Sequence, residues 1–213
     1  MADHGEARST RLVLATHNAH KVHELRRILG PALDGLELEA YDGPEPVEDG
    51  DTFEANALIK ARAAALHSGV AAIADDSGIG ATSLDGAPGI RSARYAQAAD
   101  DSPRDDGDNL RLLLKNLEGA SDRSASFSCA AALAVPDGAG GIAFEHVVLA
   151  QWPGMVALEP AGVGGFGYDP IFLPDDADVS AAELSAERKD AISHRRQAFD
   201  ALMPVVRKRL LDG

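Results

Sequence analysis

Two runs in the second half of the chain, SASFSCAAALAV from Ser124 to Val135 and IAFEHVVLAQW from Ile142 to Trp152, are separated by little more than a DGAGG turn. Small residues alternate with larger ones in the first run, and the second is rich in β-branched and aromatic residues, so the pair reads as a long β-hairpin. Such a hairpin commits the chain to antiparallel pairing. The first third obeys another rhythm. Arg11 to Ala15 is a short apolar run that reads as a buried strand, and Ala19 to Leu29 carries Val22, Leu25, Ile28 and Leu29 at helical spacing. Leu36 to Ala40 reads as a second strand, followed by a Pro/Gly/acid loop from Asp42 to Asp51. A helix capped by Asp51 or Thr52, with Glu54 early in its first turn, runs to Leu66 and is stopped by Ser68 and Gly69. Val70 to Ala74 reads as a strand ending at Asp75, Asp76, Ser77 and Gly78. A short strand from Ile79 to Leu84, a Gly/Pro loop over Asp85 to Gly89 and a helix around Asn109 to Leu117 follow. The stretch from Ser193 to Leu211 is helical by pattern, with Pro204 predicted to kink or break it. Strands early, a hairpin late and helices between them predict an α/β fold with a mixed sheet.

Composition narrows the function. The chain has 213 residues with 20 basic and 34 acidic side chains, a formal net charge of -14. That charge argues against a nucleic-acid polymer as partner, because such affinity comes largely from Lys and Arg neutralising phosphates. A small polyanion stays open, since screening over about 8 Å lets a local cationic cluster act independently of a distant acidic surface. The one cysteine, Cys129, has no disulfide partner and points to a reducing compartment. MADHGEARST at the N-terminus has no apolar run of signal-peptide length, and no later stretch approaches the ~20 apolar residues of a membrane span. The expectation is a cytoplasmic protein without membrane association, with a disordered tail over residues 1–9 and a single domain over 10–213.

Several segments carry candidate chemistry. GVGGFG, Gly162 to Gly167, matches G-x-G-x-x-G, but the strand-like IFLP soon follows it where a dinucleotide fingerprint needs a helix. The dinucleotide reading is rejected, which leaves a loop that brings backbone close to a flat ligand, or a plain turn. ATHNAHK, Ala15 to Lys21, lies where a strand gives way to a helix, a place whose free N–H groups favour an anion; equally, Thr16 or Asn18 could simply cap that helix. His20 and His23 have metal-ligand spacing, against which stands an exposed helical face. Asp75 and Asp76 follow an apolar strand, and neighbours on an extended strand point to opposite faces, so one carboxylate can face a metal or water while the other supports the loop. An acidic turn is the plain alternative. Glu48 is a candidate second carboxylate for Mg²⁺, a cation usually held by one or two carboxylates plus substrate phosphates. Lys189, His194 and Arg195 place three donors around the start of the last helix, where positive charge is unfavourable. Either an anionic or carbonyl-bearing ligand or neighbours such as Glu187 and Asp190 must compensate.

Taken together and in order, THNAHK, EDGDTFEANALIKA, ADDSG, GAPGIRSARY, GGFGYDP and ISHR closely resemble the inosine/xanthosine triphosphate pyrophosphatase family, over about Leu12 to Arg195. The resemblance implies an elongated two-lobed α/β fold around a long mixed β-sheet, an inter-lobe active cleft, a homodimer, and Mg²⁺-dependent hydrolysis of nonstandard purine nucleoside triphosphates to monophosphate and pyrophosphate. It places the phosphate-binding turn on Thr16, His17, Asn18, Ala19, His20 and Lys21, with Lys60 as a further cation. It places a metal ligand on Glu48, the general base and a metal contact on Asp76, and a substrate contact on Ser77. Phe166, Gly167, Tyr168 and Asp169 match the base-binding loop, and Lys189, His194 and Arg195 match donors around the base's oxygen. Those donors would pair with O6 of hypoxanthine or xanthine while Asp169 accepts from N1–H. A non-catalytic nucleotide sensor and a broad-specificity phosphatase releasing Pi are the competing functions.

Overall fold

The computed structural model describes residues 9–97 and 104–212. The expected tail lies outside these residues apart from Ser9. Six strands form one mixed sheet in the order β2-β1-β3-β4-β5-β6, comprising β1 (Thr10–Leu14), β2 (Leu36–Ala40), β3 (Ala72–Ala81), β4 (Ser124–Pro136), β5 (Ile142–Val156) and β6 (Phe172–Pro174). β1 pairs in parallel with both β2 and β3, and the remaining pairings are antiparallel. Five α-helices accompany them: α1 (Ala19–Leu29), α2 (Phe53–Ser68), α3 (Asp106–Asn116), α4 (Ala186–Ile192) and α5 (His194–Leu210). The expected mixed α/β class is what the chain adopts. Among the described residues no helix is long and apolar enough to cross a membrane.

Local sequence explains the helix ends. Asn18 Oδ1 accepts from the backbone N–H groups of His20 and Lys21 at the start of α1. Thr52, the second of the two expected caps, accepts from Ala55 N–H at 3.1 Å, and Gly69 ends α2 with a left-handed φ of 71°. Ser193 ends α4 through its N–H to the Lys189 carbonyl and starts α5 by accepting from Arg196 N–H. The last helix is therefore preceded by a separate short one, and the bend at Ser193 sets Lys189 beside His194 and Arg195. Of the expected kink or break at Pro204, the break does not occur, and α5 runs through the proline. Pro204 and Asp200, whose carbonyl loses its helical donor to the proline, both lie on the exposed face, where the orphaned oxygen is open to solvent.

The core falls into three clusters. Leu12, Leu14, Ile73 and Leu133 pack under α1 and α5 on one face, whereas Ala72, Ala74 and Ala132 pack under alanine-rich α2 on the other. A third cluster gathers Ile79, Phe127, Trp152 and Phe172 with Leu110 and Leu113 of α3 at the far end of the long strands. β3 runs through all three, so its middle residues, Asp75 to Gly78, lie between two packed ends. This corrects the expectation that β3 stops at Asp75 in an acidic turn: the register with β4 is unbroken from Ala72 opposite Ala134 to Ala81 opposite Ala125.

Candidate active site

The strand order creates a crevice at the middle of β3. β1 touches β3 only through Val13 with Ala72 and Leu14 with Ile73, then leaves the sheet at Ala15. From Asp75 to Gly78 no strand pairs with β3 on that side, until the isolated bridge of Gly80 with Pro88 closes the gap, and α1 and α2 leave from opposite faces beside it. Ligands in open α/β sheets bind at such a switch point. The cleft there is lined by Thr16, Lys21, Glu48, Lys60 and Asp76 at one end and by Phe166, Lys189, His194 and Arg195 at the other, with His17, Asn18, His20, Ser77, Gly167, Tyr168 and Asp169 also in its walls. Of Ala19 only its position as the first residue of α1 is described.

The strand's alternation splits the two aspartates as expected. Asp75 faces α1 and α5: its Oδ2 lies 3.0 Å from Lys21 Nζ and 3.3 Å from Arg195 Nε. Burial would raise its pKa, but Lys21 and Arg195 hold the carboxyl far below the usual range. Asp76 faces α2: Oδ1 is 2.8 Å from Lys60 Nζ, and Oδ2 accepts from Asn56 Nδ2 at 3.4 Å. Burial pushes the Asp76 carboxyl up, against the pull of Lys60 and Lys21.

Lys60 Nζ also lies 3.1 Å from Glu48 Oε2, so Glu48 and Asp76 converge on a single cationic atom. That convergence fits a hard divalent cation, which takes oxygen ligands and completes its shell with water and phosphate. Among the described residues no group of three or more His, Cys, Asp and Glu could form an all-protein metal cage. His20 is instead near-parallel to the Phe166 ring, 5.6 Å between centroids, and His23 is exposed. His17 packs against Tyr41 at 5.4 Å, which ties the Thr16 to Lys21 turn to the loop carrying Glu48.

At the other end Lys189 Nζ donates to Asp169 Oδ2 at 2.6 Å and lies 3.4 Å from Glu24 Oε1. Arg195 Nη1 donates to Glu24 Oε2, and Nη2 donates to Ser77 Oγ at 3.0 Å. The compensating acids for these cations are therefore Glu24, Asp75 and Asp169, and not Glu187 or Asp190; Asp190 pairs with Arg27 at 2.6 Å. Burial would raise the Glu24 pKa, yet Arg195 and Lys189 bring it below the ordinary value. Phe166 N–H also donates to Asp169 Oδ2, at 2.8 Å, so this carboxylate fixes both Lys189 and the loop, and only Oδ1 is left to accept from a substrate. His194 lies flat against Phe127, 4.8 Å between centroids at 6°, and its Nδ1 is buried without a partner among the described residues. Burial lowers its pKa well below the usual histidine value, so it stands neutral in the cleft wall.

The Gly162 to Gly167 loop leads into a single 3₁₀ turn over Asp169–Ile171 and not into a binding helix. Its glycines let backbone approach the protein itself: a Cβ at Gly164 would stand 2.7 Å from the Ala182 carbonyl oxygen, and one at Gly165 would stand 2.1 Å from Asp169 Oδ2. Two residues of this constellation carry no role in the sequence reading. Asn56 shares the Asp76-facing side of α2 with Lys60, four residues on, and its Oδ1 also accepts from Gly50 N–H at 2.9 Å. Glu24 lies three residues after Lys21 on α1. The signal for each is a polar residue at a helical position that packs inward.

Comparison with known proteins assigns the chain to a family. The Ham1 family profile matches residues 12–205. The dITP/XTP pyrophosphatase of Leifsonia xyli subsp. xyli is 54% identical over 199 residues, covering 92% of this chain and 96% of the relative. That of Streptomyces coelicolor is 50% identical over 207 residues, covering 94% and 99%. Among solved structures, the Staphylococcus aureus Ham1 protein superposes with a TM-score of 0.80 at 34% identity, covering 94% of this chain and all of the other. The nucleoside-triphosphatase / dITP/XTP pyrophosphatase of Mycobacterium abscessus does so at 0.70 and 42%, covering 92% and 100%. With its strand order, its cleft and its motifs all accounted for, the chain belongs to the Ham1 family.

Proposed function

We propose that the chain hydrolyses nonstandard purine nucleoside triphosphates, ITP, dITP and XTP, to the monophosphate and pyrophosphate in the cytoplasm, with Mg²⁺ as cofactor and residues 10–213 acting as one two-lobed unit. One observation carries this: Asp76 and Glu48 meet at Lys60 at one end of the cleft, while Lys189, His194 and Arg195 gather at the other. Such a site holds a long ligand with an anionic end and a polar aromatic end.

In this reading Lys21, Lys60 and the N–H groups at the start of α1 bind phosphate oxygens. Asp76 orients a water and accepts its proton while the water oxygen bonds to the α-phosphorus; the bond from that phosphorus to the bridging oxygen breaks, and its electron pair leaves with pyrophosphate. Mg²⁺, held by Glu48 and Asp76, would neutralise charge on the phosphate oxygens. Of the three donors on Lys189, two are directed at Asp169 and Glu24, and the third remains for O6 of the base. Asp169 Oδ1 accepts from N1–H. Adenine reverses both patterns, and unpaired buried polar groups reject such an analogue strongly, so kcat/KM for ITP should exceed that for ATP at least about 10²-fold.

Incubation with ITP and Mg²⁺, resolving IMP, IDP, pyrophosphate and Pi, tests the proposal. IMP with pyrophosphate supports it; IDP with Pi marks a phosphatase, and binding without turnover marks a sensor. The homodimer rests on family resemblance, and sedimentation at the 22.2 kDa chain mass would refute it.

A further inference from the structure

The GAPGIRSARY segment contributes to this cleft a cation that the roles above leave unused. Its 3₁₀ turn, Gly89–Arg94, is locked against β3 from several sides. Ser92 Oγ accepts from Ile79 N–H at 2.9 Å and donates to the Gly89 carbonyl at 2.6 Å, while Tyr168 Oη donates to the Ser92 carbonyl at 2.8 Å. Gly78 is bare where the turn crosses it, since a Cβ there would stand 2.4 Å from Ser92 Oγ. This rigid strap presents Arg94 to the cleft, with one Nη2 hydrogen on the backbone carbonyl of Glu48 at 3.4 Å.

The pairing of cleft cations singles Arg94 out. Lys21 lies on Asp75, Lys60 on Glu48 and Asp76, Lys189 on Asp169 and Glu24, and Arg195 on Glu24 and Asp75. Arg94 has no carboxylate within ion-pair distance among the described residues, and Arg104, the other cleft-lining cation in that position, is exposed. At the phosphate end the ammonium groups of Lys21 and Lys60 both already lie on carboxylates, so neither brings uncompensated positive charge to a polyphosphate. Arg94 stands at that end, tethered to the residue whose side chain approaches Lys60. A guanidinium presents its N–H donors as a planar fork matched to phosphate oxygens.

We propose that Arg94 binds the terminal phosphates of the substrate and holds the pyrophosphate that leaves, taking up the charge its bridging oxygen gains when the bond to the α-phosphorus breaks. This rests on the function proposed above and adds to it a residue that selects triphosphate over monophosphate.

Product inhibition separates the two ends of the cleft. With Mg²⁺ in excess, Arg94→Ala should raise the inhibition constant of pyrophosphate about tenfold or more, the scale of one charge-assisted hydrogen bond, and leave that of IMP within about twofold. Arg94→Lys, which keeps the charge and loses the fork, should fall between wild type and Arg94→Ala, and it carries the test if the alanine variant does not fold. An unchanged pyrophosphate constant in the variants overturns the assignment, as does an equal weakening of pyrophosphate and IMP, which would mark a structural role. Calorimetric titration of wild type and Arg94→Lys with magnesium pyrophosphate keeps the inference testable even if wild type fails to convert ITP to IMP and pyrophosphate. That failure would strike the proposed function, whereas equal pyrophosphate affinity in the two proteins would strike Arg94.

Discussion

Glu24 offers the sharpest test of how the Lys189 and Arg195 end of the cleft is built. It is 4% exposed and accepts from Arg195 through one oxygen while the other lies 3.4 Å from Lys189. Glu24→Gln keeps the shape and removes the charge. Breaking a buried ion pair by removing one partner costs about 3–5 kcal/mol. Lys189 retains Asp169 and Arg195 retains Asp75, so the lower end applies, about 3 kcal/mol. For a protein of this size each kcal/mol moves Tm by about 2–4 °C, so the variant should melt about 6–12 °C below wild type at pH 7. The pH dependence has a definite sign. The folded-state pKa of Glu24 lies below its ordinary value of 4.5, so its contribution is complete above that pH and is lost as pH falls through the folded value. The melting gap between wild type and variant should therefore narrow below about pH 4.5. Paired calorimetric melts at pH 7 and across the acid range decide it. A gap under 2 °C at neutral pH, or one that widens on acidification, would refute the bridging role.

Three further outcomes follow from the site. Asp76→Asn should abolish turnover while nucleotide binding stays within about 1–2 kcal/mol, the scale of one altered polar contact; single-turnover assays beside equilibrium binding check this, and a tenth of the wild-type rate is too much for the assignment to survive. Glu48→Gln should raise the Mg²⁺ concentration needed for half-maximal rate, and an unaltered metal titration would take Glu48 out of the metal shell. Gly165→Ala sets a Cβ against Asp169 Oδ2 at a backbone φ of 69°, so it should loosen Lys189 and shrink the ratio of kcat/KM for ITP over ATP; equal effects on both substrates would count against base reading through that contact.

Where local chemistry decides structure, the sequence was legible to the residue. α1 and β2 fall on their expected bounds, because a strand-to-helix change of period with an Asn cap leaves little choice. β3 was legible only as two separate strands, Val70 to Ala74 and Ile79 to Leu84, and the reason its middle was missed is tertiary. Asp75, Asp76 and Gly78 look like turn residues, yet each acid is tolerated within the strand because a helix on its own face supplies lysine or arginine. The glycines are there for clearance: a Cβ on Gly80 would stand 2.9 Å from the Gly86 carbonyl. Pro204 misled for the opposite reason, since its cost depends on facing solvent, which a proline in a helical pattern does not reveal. The cleft's lining residues were legible as motifs, but the carboxylates that position Lys189 and Arg195 were not, because Glu24 lies 165 positions before Lys189 and only the packing of α1 against α4 and α5 brings them together.

The alternation of Asp75 and Asp76 has a mechanical consequence. Asp75 anchors Arg195 and Lys21, and Asp76 faces Lys60 on the other side, so the two halves of the cleft are joined by a single peptide unit whose Cα atoms are held about 3.8 Å apart. That unit is clamped at both ends by packed core and hydrogen-bonded to β4 throughout. The two carboxylates thus act as marks on one stiff ruler. Loops on either side can change which ligand is admitted, but a one-residue slip of the strand would turn each mark to the opposite face and erase the scale.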